Sequence, residues 1–176
     1  MTSSSGAFKV LGIHISMKTF KDYQLLTQQA LSLIEGEMDL IANLSNISAL
    51  LNMNMTDINW VGFYLLRDNQ LVLGPFQGNV ACVRIALDKG VCGKAFSTNT
   101  IQRISDVHAF PGHIACDAAS SSEIVLPINV DGKTYAVLDI DSPMLDRFTE
   151  TDQKGLRFFI EQVEQKLGFN ACNDLK

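Results

Sequence analysis

The sequence predicts an α+β fold in which helices near both ends of the chain pack on one mostly antiparallel sheet. Three observations carry this expectation. Apolar residues recur at helical spacing in two segments near the start and one near the end, about six strand-like segments lie between them, and turn residues join most of those at hairpin distance. With 176 residues, 47% of them hydrophobic, the chain can bury the core of a single domain.

The first ten residues, including Ser3-Ser4-Ser5-Gly6, follow neither period, and the segment 1–16 is expected to be a loose terminus ahead of a domain over 17–168, with 169–176 as a tail. From Met17 the spacing of Phe20, Tyr23, Leu26, Ala30, Leu33 and Ile34 predicts a helix that Gly36 interrupts. Leu40, Leu44, Ile47 and Leu51 form the stripe of a second helix, widened by Ile41, Ala49 and Leu50. At Asn59 the period changes to two. Asn59 to Leu66 reads as a strand with both faces buried, Trp60, Gly62 and Tyr64 on one and Val61, Phe63 and Leu65 on the other. Arg67-Asp68-Asn69-Gln70 turns it into a partner strand over Leu71 to Phe76.

A third strand is expected over Val80 to Leu87, after the Gly78-Asn79 turn. Asp88-Lys89-Gly90 breaks it before a short helix over Val91 to Ser97 and a short strand around Ile101 to Ile104. Ser105 to Ser122 has no sustained period and contains Pro111 and Gly112, so it reads as a long loop with a helical turn after Cys116; loops of that length in compact domains are often functional. Glu123 to Val130 and Thr134 to Asp141 form a hairpin about Asp131-Gly132. Thr149, with Asp152 three residues on, starts a last helix whose stripe is Leu156, Phe159, Ile160, Val163 and Leu167.

Charge and hydropathy exclude two function classes. Fourteen Lys and Arg against nineteen Asp and Glu leave a net charge of -5, with no basic stripe for nucleic acid. No apolar run reaches the roughly 20 residues of a membrane helix, and Met1 to Phe8 lacks the form of a signal peptide, so a soluble, cytoplasmic protein is expected. In that reducing compartment the four cysteines read as thiols, metal ligands or transient redox partners.

Cys82, by alternation on the face of Val80 and Arg84, reads as a small core hydrophobe. Cys92 follows Gly90 at a helix start, where unpaired amides favour a thiolate; a cysteine packed under a glycine turn is an equal alternative. Cys116, in a loop of small residues, is the best candidate nucleophile, although Asp117 beside it would raise its pKa and a buried structural cysteine is the alternative. Cys172 reads as a bystander. Asp139 and Asp141 share a strand face; if Glu123 joins them from the hairpin partner, three carboxylates meet and must hold a shared proton, which suits delivery to a departing oxygen. The alternative is a pair of strand and turn caps. His108 and His113 admit a zinc site, but no Cys-x-x-Cys or other compact ligand set supports it. Trp60 and Tyr64 form either an aromatic wall or ordinary core.

Several of these segments together resemble the free methionine-(R)-sulfoxide reductases, enzymes built on one GAF domain. The resemblance runs in order from about Leu31 to Leu167, through Asp57 to Tyr64, Leu73 to Gly78, Ala81 to Ile85, Gly90-Val91-Cys92-Gly93, Gly112 to Ser120, Ser122 to Pro127 and Leu138 to Ser142. It implies a GAF fold and reduction of the R epimer of free L-methionine sulfoxide, in defence against oxidative stress. It also implies that Cys116 attacks, that Cys92 is the disulfide partner, and that Cys82 is an alternative or additional resolving thiol. Glu123, Asp139 and Asp141 would form the acidic pocket, joined by Asp106, while Trp60 and Tyr64 contact substrate. The Cys116 thiolate would attack the sulfoxide sulfur while a protonated carboxyl hydrogen-bonds the oxygen, and the resulting sulfenic acid would be resolved as a disulfide. A dithiol such as thioredoxin would restore the thiols, with no metal or organic cofactor. GAF domains often dimerise through their terminal helices, which leaves a homodimer open. The rival classes are a non-catalytic GAF sensor, which needs an output domain or partner, and a zinc-binding structural domain.

Overall fold

The computed structural model describes residues 17–112 and 119–167. Eleven elements follow in chain order: α1 (Phe20–Leu33), α2 (Leu40–Asn54), β1 (Trp60–Arg67), β2 (Gln70–Gly78), β3 (Arg84–Ala86), α3 (Gly90–Thr98), β4 (Gln102–Ile104), a 3₁₀ turn (Val107–Ala109), β5 (Ser122–Val130), β6 (Lys133–Ser142) and α4 (Glu150–Val163). The six strands form one sheet in the order β3-β2-β1-β6-β5-β4, and every neighbouring pair is antiparallel. The expected termini, 1–16 and 169–176, and the helical turn expected after Cys116 lie outside the described residues.

The period-two reading of β1 is realised on both faces. Val61, Phe63 and Leu65 point into a core with Ile124, Leu126, Leu138 and Ile140, which α1, α2 and α4 close with Leu26, Leu44, Leu51, Leu156 and Phe159. Trp60 and Tyr64 point the other way, into a smaller cluster with Leu71, Ile85, Val91, Cys92, Val125 and Val137 under α3. The hairpin turns behave as their residues dictate: Asp68 and Asn69 take φ of 51° and 57°, and Asp131 and Gly132 take 49° and 77°, the positive values that two-residue turns between twisted strands require.

The third strand is shorter than expected. Residues 79–82 leave the sheet, Val83 keeps one bond from the Leu73 amide of β2, and Arg84–Ala86 form the paired strand. Val80 and Val83 are 88% and 64% exposed, so the alternation that assigned Cys82 to the core face does not operate. The physical reason is competition for the backbone: the indole of Trp60 and the hydroxyl of Tyr64 donate to the Asn79 and Cys82 carbonyls, which draws this segment across the sheet end instead of along β2.

The two terminal helices are locked together by a buried charge. Thr149 and Asp152 form the expected capping box at the start of α4, with the Thr149 amide and hydroxyl each 2.7 Å from the Asp152 carboxylate. The same carboxylate accepts from Arg147 at 3.3 Å and from the Tyr23 hydroxyl of α1. Removing the Tyr23 donor leaves a buried anion short of a partner. Tyr23→Phe is therefore expected to cost about 1–3 kcal/mol, read as a lower urea midpoint with unchanged slope.

Candidate active site

The face of the sheet opposite the three-helix core carries the candidate chemistry, and strand register explains why. Trp60 pairs with Asp141 and Gly62 with Asp139 across β1 and β6; Glu123 pairs with Asp141 and Val125 with Asp139 across β5 and β6. Directly opposed residues of an antiparallel ladder share a face. Trp60, Gly62, Tyr64, Glu123, Asp139 and Asp141 therefore project to one side, as the carboxylate convergence expected from sequence requires.

Helix α3 closes this side. A Cβ at Gly93 would run into the backbone of Ala86 and Leu87, so its absence lets the first turn of α3 settle on the end of β3. That close approach brings Cys92 onto β6, where its Sγ donates to Asp139 Oδ2 at 3.2 Å. Cys92, Glu123 and Asp139 are 4%, 6% and 6% exposed, so two carboxyl groups and a thiol share a space that water scarcely reaches.

Burial there reshapes every titration. Desolvation first, then the charges of Asp139 and Asp141, push Glu123 well above the usual carboxylate range. Desolvation also raises Asp139, to about 6, against hydrogen bonds from Cys92, Glu123 and the Ile140 amide that favour its anion. Asp139 Oδ1 meets no fixed donor, and Glu123 can hydrogen-bond Asp139 only if one of the two carries a proton. The two carboxyls therefore compete for a proton, and the titration belongs to the pair.

Of the two readings open at Cys92, a thiolate at a helix start and a cysteine packed under a glycine turn, the same surroundings favour the second. Burial, followed by the charges of Asp139 and Glu123, drives that thiol well above its ordinary value. The start of a nine-residue helix cannot offset desolvation beside carboxylates. Cys92 is a free, buried thiol, whereas Cys82 is half-buried and held in a disulfide.

Trp60 is the centre of an aromatic stack, 5.9 Å from Tyr64 and 5.3 Å from Phe76 between ring centroids. Gly62 makes the stack possible, because any Cβ there would overlap Phe76 and the Trp60 ring. Phe76 escaped the sequence reading. Its signal was the β1 and β2 hairpin register, which pairs it with Gly62. Trp60 and Tyr64 also strap the segment that carries Cys82, through bonds of 3.1 Å to the Asn79 carbonyl and 3.0 Å to the Cys82 carbonyl. Asp106 caps the 3₁₀ turn, accepting from the His108 amide at 2.9 Å. Cys116, His113 and Cys172 lie outside the described residues. Among the described residues, the ligand atoms of Cys92, Glu123 and Asp139 lie within 4.8 Å of one another, a donor set a metal ion could use, and His108 is not part of it.

Residues 47–167 match the GAF domain family. The free methionine-R-sulfoxide reductase of Escherichia coli (strain K12) is 56% identical over 154 residues, 88% of this chain and 92% of that protein. This chain belongs to the free methionine-R-sulfoxide reductase family. The Saccharomyces cerevisiae reductase of the same name is 41% identical over 180 residues, 96% of this chain and 99% of its own length. The family's architecture extends to solved structures. That of the free methionine-R-sulfoxide reductase from Neisseria meningitidis in complex with its substrate has a TM-score of 0.84 at 39% identity, covering 91% of this chain and 98% of that one. In this member of the family no described helix is long and apolar enough to cross a membrane.

Proposed function

We propose that the protein reduces the R epimer of free L-methionine sulfoxide to L-methionine, with Cys116 as the attacking thiol and Cys82 as the thiol that resolves it. The observation that carries this reading is the buried Glu123 and Asp139 pair on the same sheet face as the Trp60, Tyr64 and Phe76 stack, with both carboxyls displaced upward by burial. Such a pair offers two things at once: an anion for the substrate ammonium and an acid for the sulfoxide oxygen.

In the proposed cycle Asp139 and Asp141 receive the ammonium group, the aromatic stack receives the thioether chain, and Glu123 donates a hydrogen bond to the oxygen. The Cys116 thiolate attacks the sulfoxide sulfur. The sulfur–oxygen bond of the substrate breaks, its oxygen passes to the Cys116 sulfur with a proton from Glu123, and methionine departs reduced by two electrons. Cys116 is left as a sulfenic acid. The Cys82 thiol then forms the sulfur–sulfur bond, and the oxygen leaves as water. A dithiol protein of the thioredoxin class reduces the disulfide by exchange and is itself oxidised. No metal or organic cofactor enters the cycle, which would serve a reducing cytoplasm under oxidative stress.

Cys82 is preferred over Cys92 because it is disulfide-engaged on the strapped segment, while the Cys92 thiol is buried against Asp139. Selection of the free amino acid follows from charge. A methionine sulfoxide inside a peptide has no ammonium group, and would leave buried Asp139 unpaired. Assay of the separated R and S epimers, each free and within a peptide, is expected to show thiol-dependent reduction of the free R form alone. Equal rates on both epimers, or on the peptide, would overturn the assignment.

A further inference from the structure

Cys92 is the buried nucleophilic group that the proposed cycle does not consume. We infer that Cys92 is a positioning residue, whose thiol holds the Asp139 carboxylate aimed at the substrate ammonium. The inference rests on the proposed function for the meaning of Asp139, but its contact is a feature of the fold alone.

Geometry carries it. Cys92 Sγ lies 3.2 Å from Asp139 Oδ2, both groups are more than nine-tenths buried, and the contact is delivered by the close seating of α3 that Gly93 permits. Beside the hydrogen bonds from Glu123 and the Ile140 amide, Asp139 Oδ2 takes the Cys92 proton, while Oδ1 is buried and meets no fixed donor. That leaves one oxygen ordered by the thiol and one for which the substrate ammonium would supply the missing donor. Glu123 from β5 stands beside Asp139, Asp141 from β6 adds its charge, and Tyr64 from β1 faces the same group. In this setting two carboxyls compete for one proton. A thiol donor on Asp139 favours the Asp139 anion, consistent with the direction in which that bond moves its titration, and so assigns the proton to Glu123. A thiol serves well because it donates while its own burial keeps it protonated. As a small, weakly polar donor it also packs into the apolar cluster with Val91 and Ala95.

A resolving role and a positioning role separate cleanly by substitution. Cys92→Val keeps an apolar side chain, with one heavy atom more, and removes the donor; Cys92→Ser keeps a donor and removes all disulfide chemistry. The expected result for Cys92→Val is a roughly tenfold rise in KM for free methionine-(R)-sulfoxide, the scale of a lost hydrogen bond to a charged group. The acid limb of kcat/KM should also move to higher pH, because an Asp139 anion without its donor binds a proton more readily. Cys92→Ser should recover most of the KM and return the limb towards its original position. If both variants instead release one equivalent of methionine and stop, with the limb unmoved, Cys92 is a resolving thiol and the inference falls. It falls equally if Cys92→Val changes neither KM nor the limb.

A readout in the unaltered protein keeps the inference testable should Cys92→Val fail to fold. The S–H stretching band of Cys92, assigned by its loss in Cys92→Ser, should shift to lower frequency as Asp139 ionises, with the midpoint of the acid limb. A band indifferent to pH overturns the contact. Retention of turnover by Cys116→Ser would overturn the proposed cycle, whereas the S–H titration would stand.

Discussion

Cys116→Ser is expected to abolish turnover of free methionine-(R)-sulfoxide, while Cys82→Ser should release a single equivalent of methionine per chain and then stop. The two outcomes differ because the cycle asks different things of the two sulfurs. The first step needs a soft nucleophile that can accept oxygen. A serine hydroxyl is almost wholly protonated near pH 7 and has no sulfur to oxidise, so the rate falls to that of the uncatalysed reaction. Cys82 acts only after methionine has formed. Its replacement opens the disulfide but keeps the tie between the residue-82 carbonyl and the Tyr64 hydroxyl, so the Glu123 and Asp139 pair and the aromatic stack are expected to keep their places. A serine at 82 preserves that bond. Rapid-quench measurement of methionine, with a dione reagent to trap sulfenic acid, distinguishes the two. Full multiple-turnover activity in Cys116→Ser would sink the mechanism, and sustained turnover in Cys82→Ser would transfer resolution to another thiol.

How much of this site is legible in the sequence depends on whether a residue's position is set by local period or by distant packing. The face shared by Trp60, Gly62 and Tyr64, and the meeting of Glu123 with Asp139 and Asp141, follow from alternation and one two-residue turn; once Asp131-Gly132 fixes the hairpin, the register leaves no freedom. The capping box at Thr149 and the stripe of α4 are equally local. Three features are not. The 79–83 segment has strand-like alternation, yet the Trp60 indole and the Tyr64 hydroxyl, roughly twenty residues earlier, claim its carbonyls. The charge state of Cys92 follows from carboxylates on β5 and β6 that no local reading of Gly90-Val91-Cys92-Gly93 contains. Phe76 joins the stack because Gly62 is opposite it, a pairing visible only after the β1 and β2 register is known. Local period places these side chains on their faces, and long-range packing decides their surroundings and reach.

The acid pair supplies the other large effect: Glu123→Gln should lower kcat by about 10²–10⁴-fold, the range associated with a positioned general acid. Glutamine keeps the size of the side chain and one hydrogen-bond donor, so it isolates the proton from the contact. The pH profile gives the sign of each partner. Asp139 must be ionised to receive the ammonium group, so kcat/KM should fall as pH drops through about 6. Glu123 must be protonated to serve the oxygen, and its titration is displaced upward, so activity should be lost again on the alkaline side. The bell therefore has limbs that belong to a coupled pair, with the acid limb set mainly by Asp139. Asp139→Asn separates the two. It removes the buried negative charge that faces the ammonium, an effect on the order of 10²-fold or more in kcat/KM when a buried ion pair loses one partner. It also relieves Glu123 of its nearest negative neighbour, so the alkaline limb should move to lower pH as the acid limb disappears. A Glu123→Gln variant with an unchanged alkaline limb would show that some other group holds the proton, and would move the acid of this site away from β5.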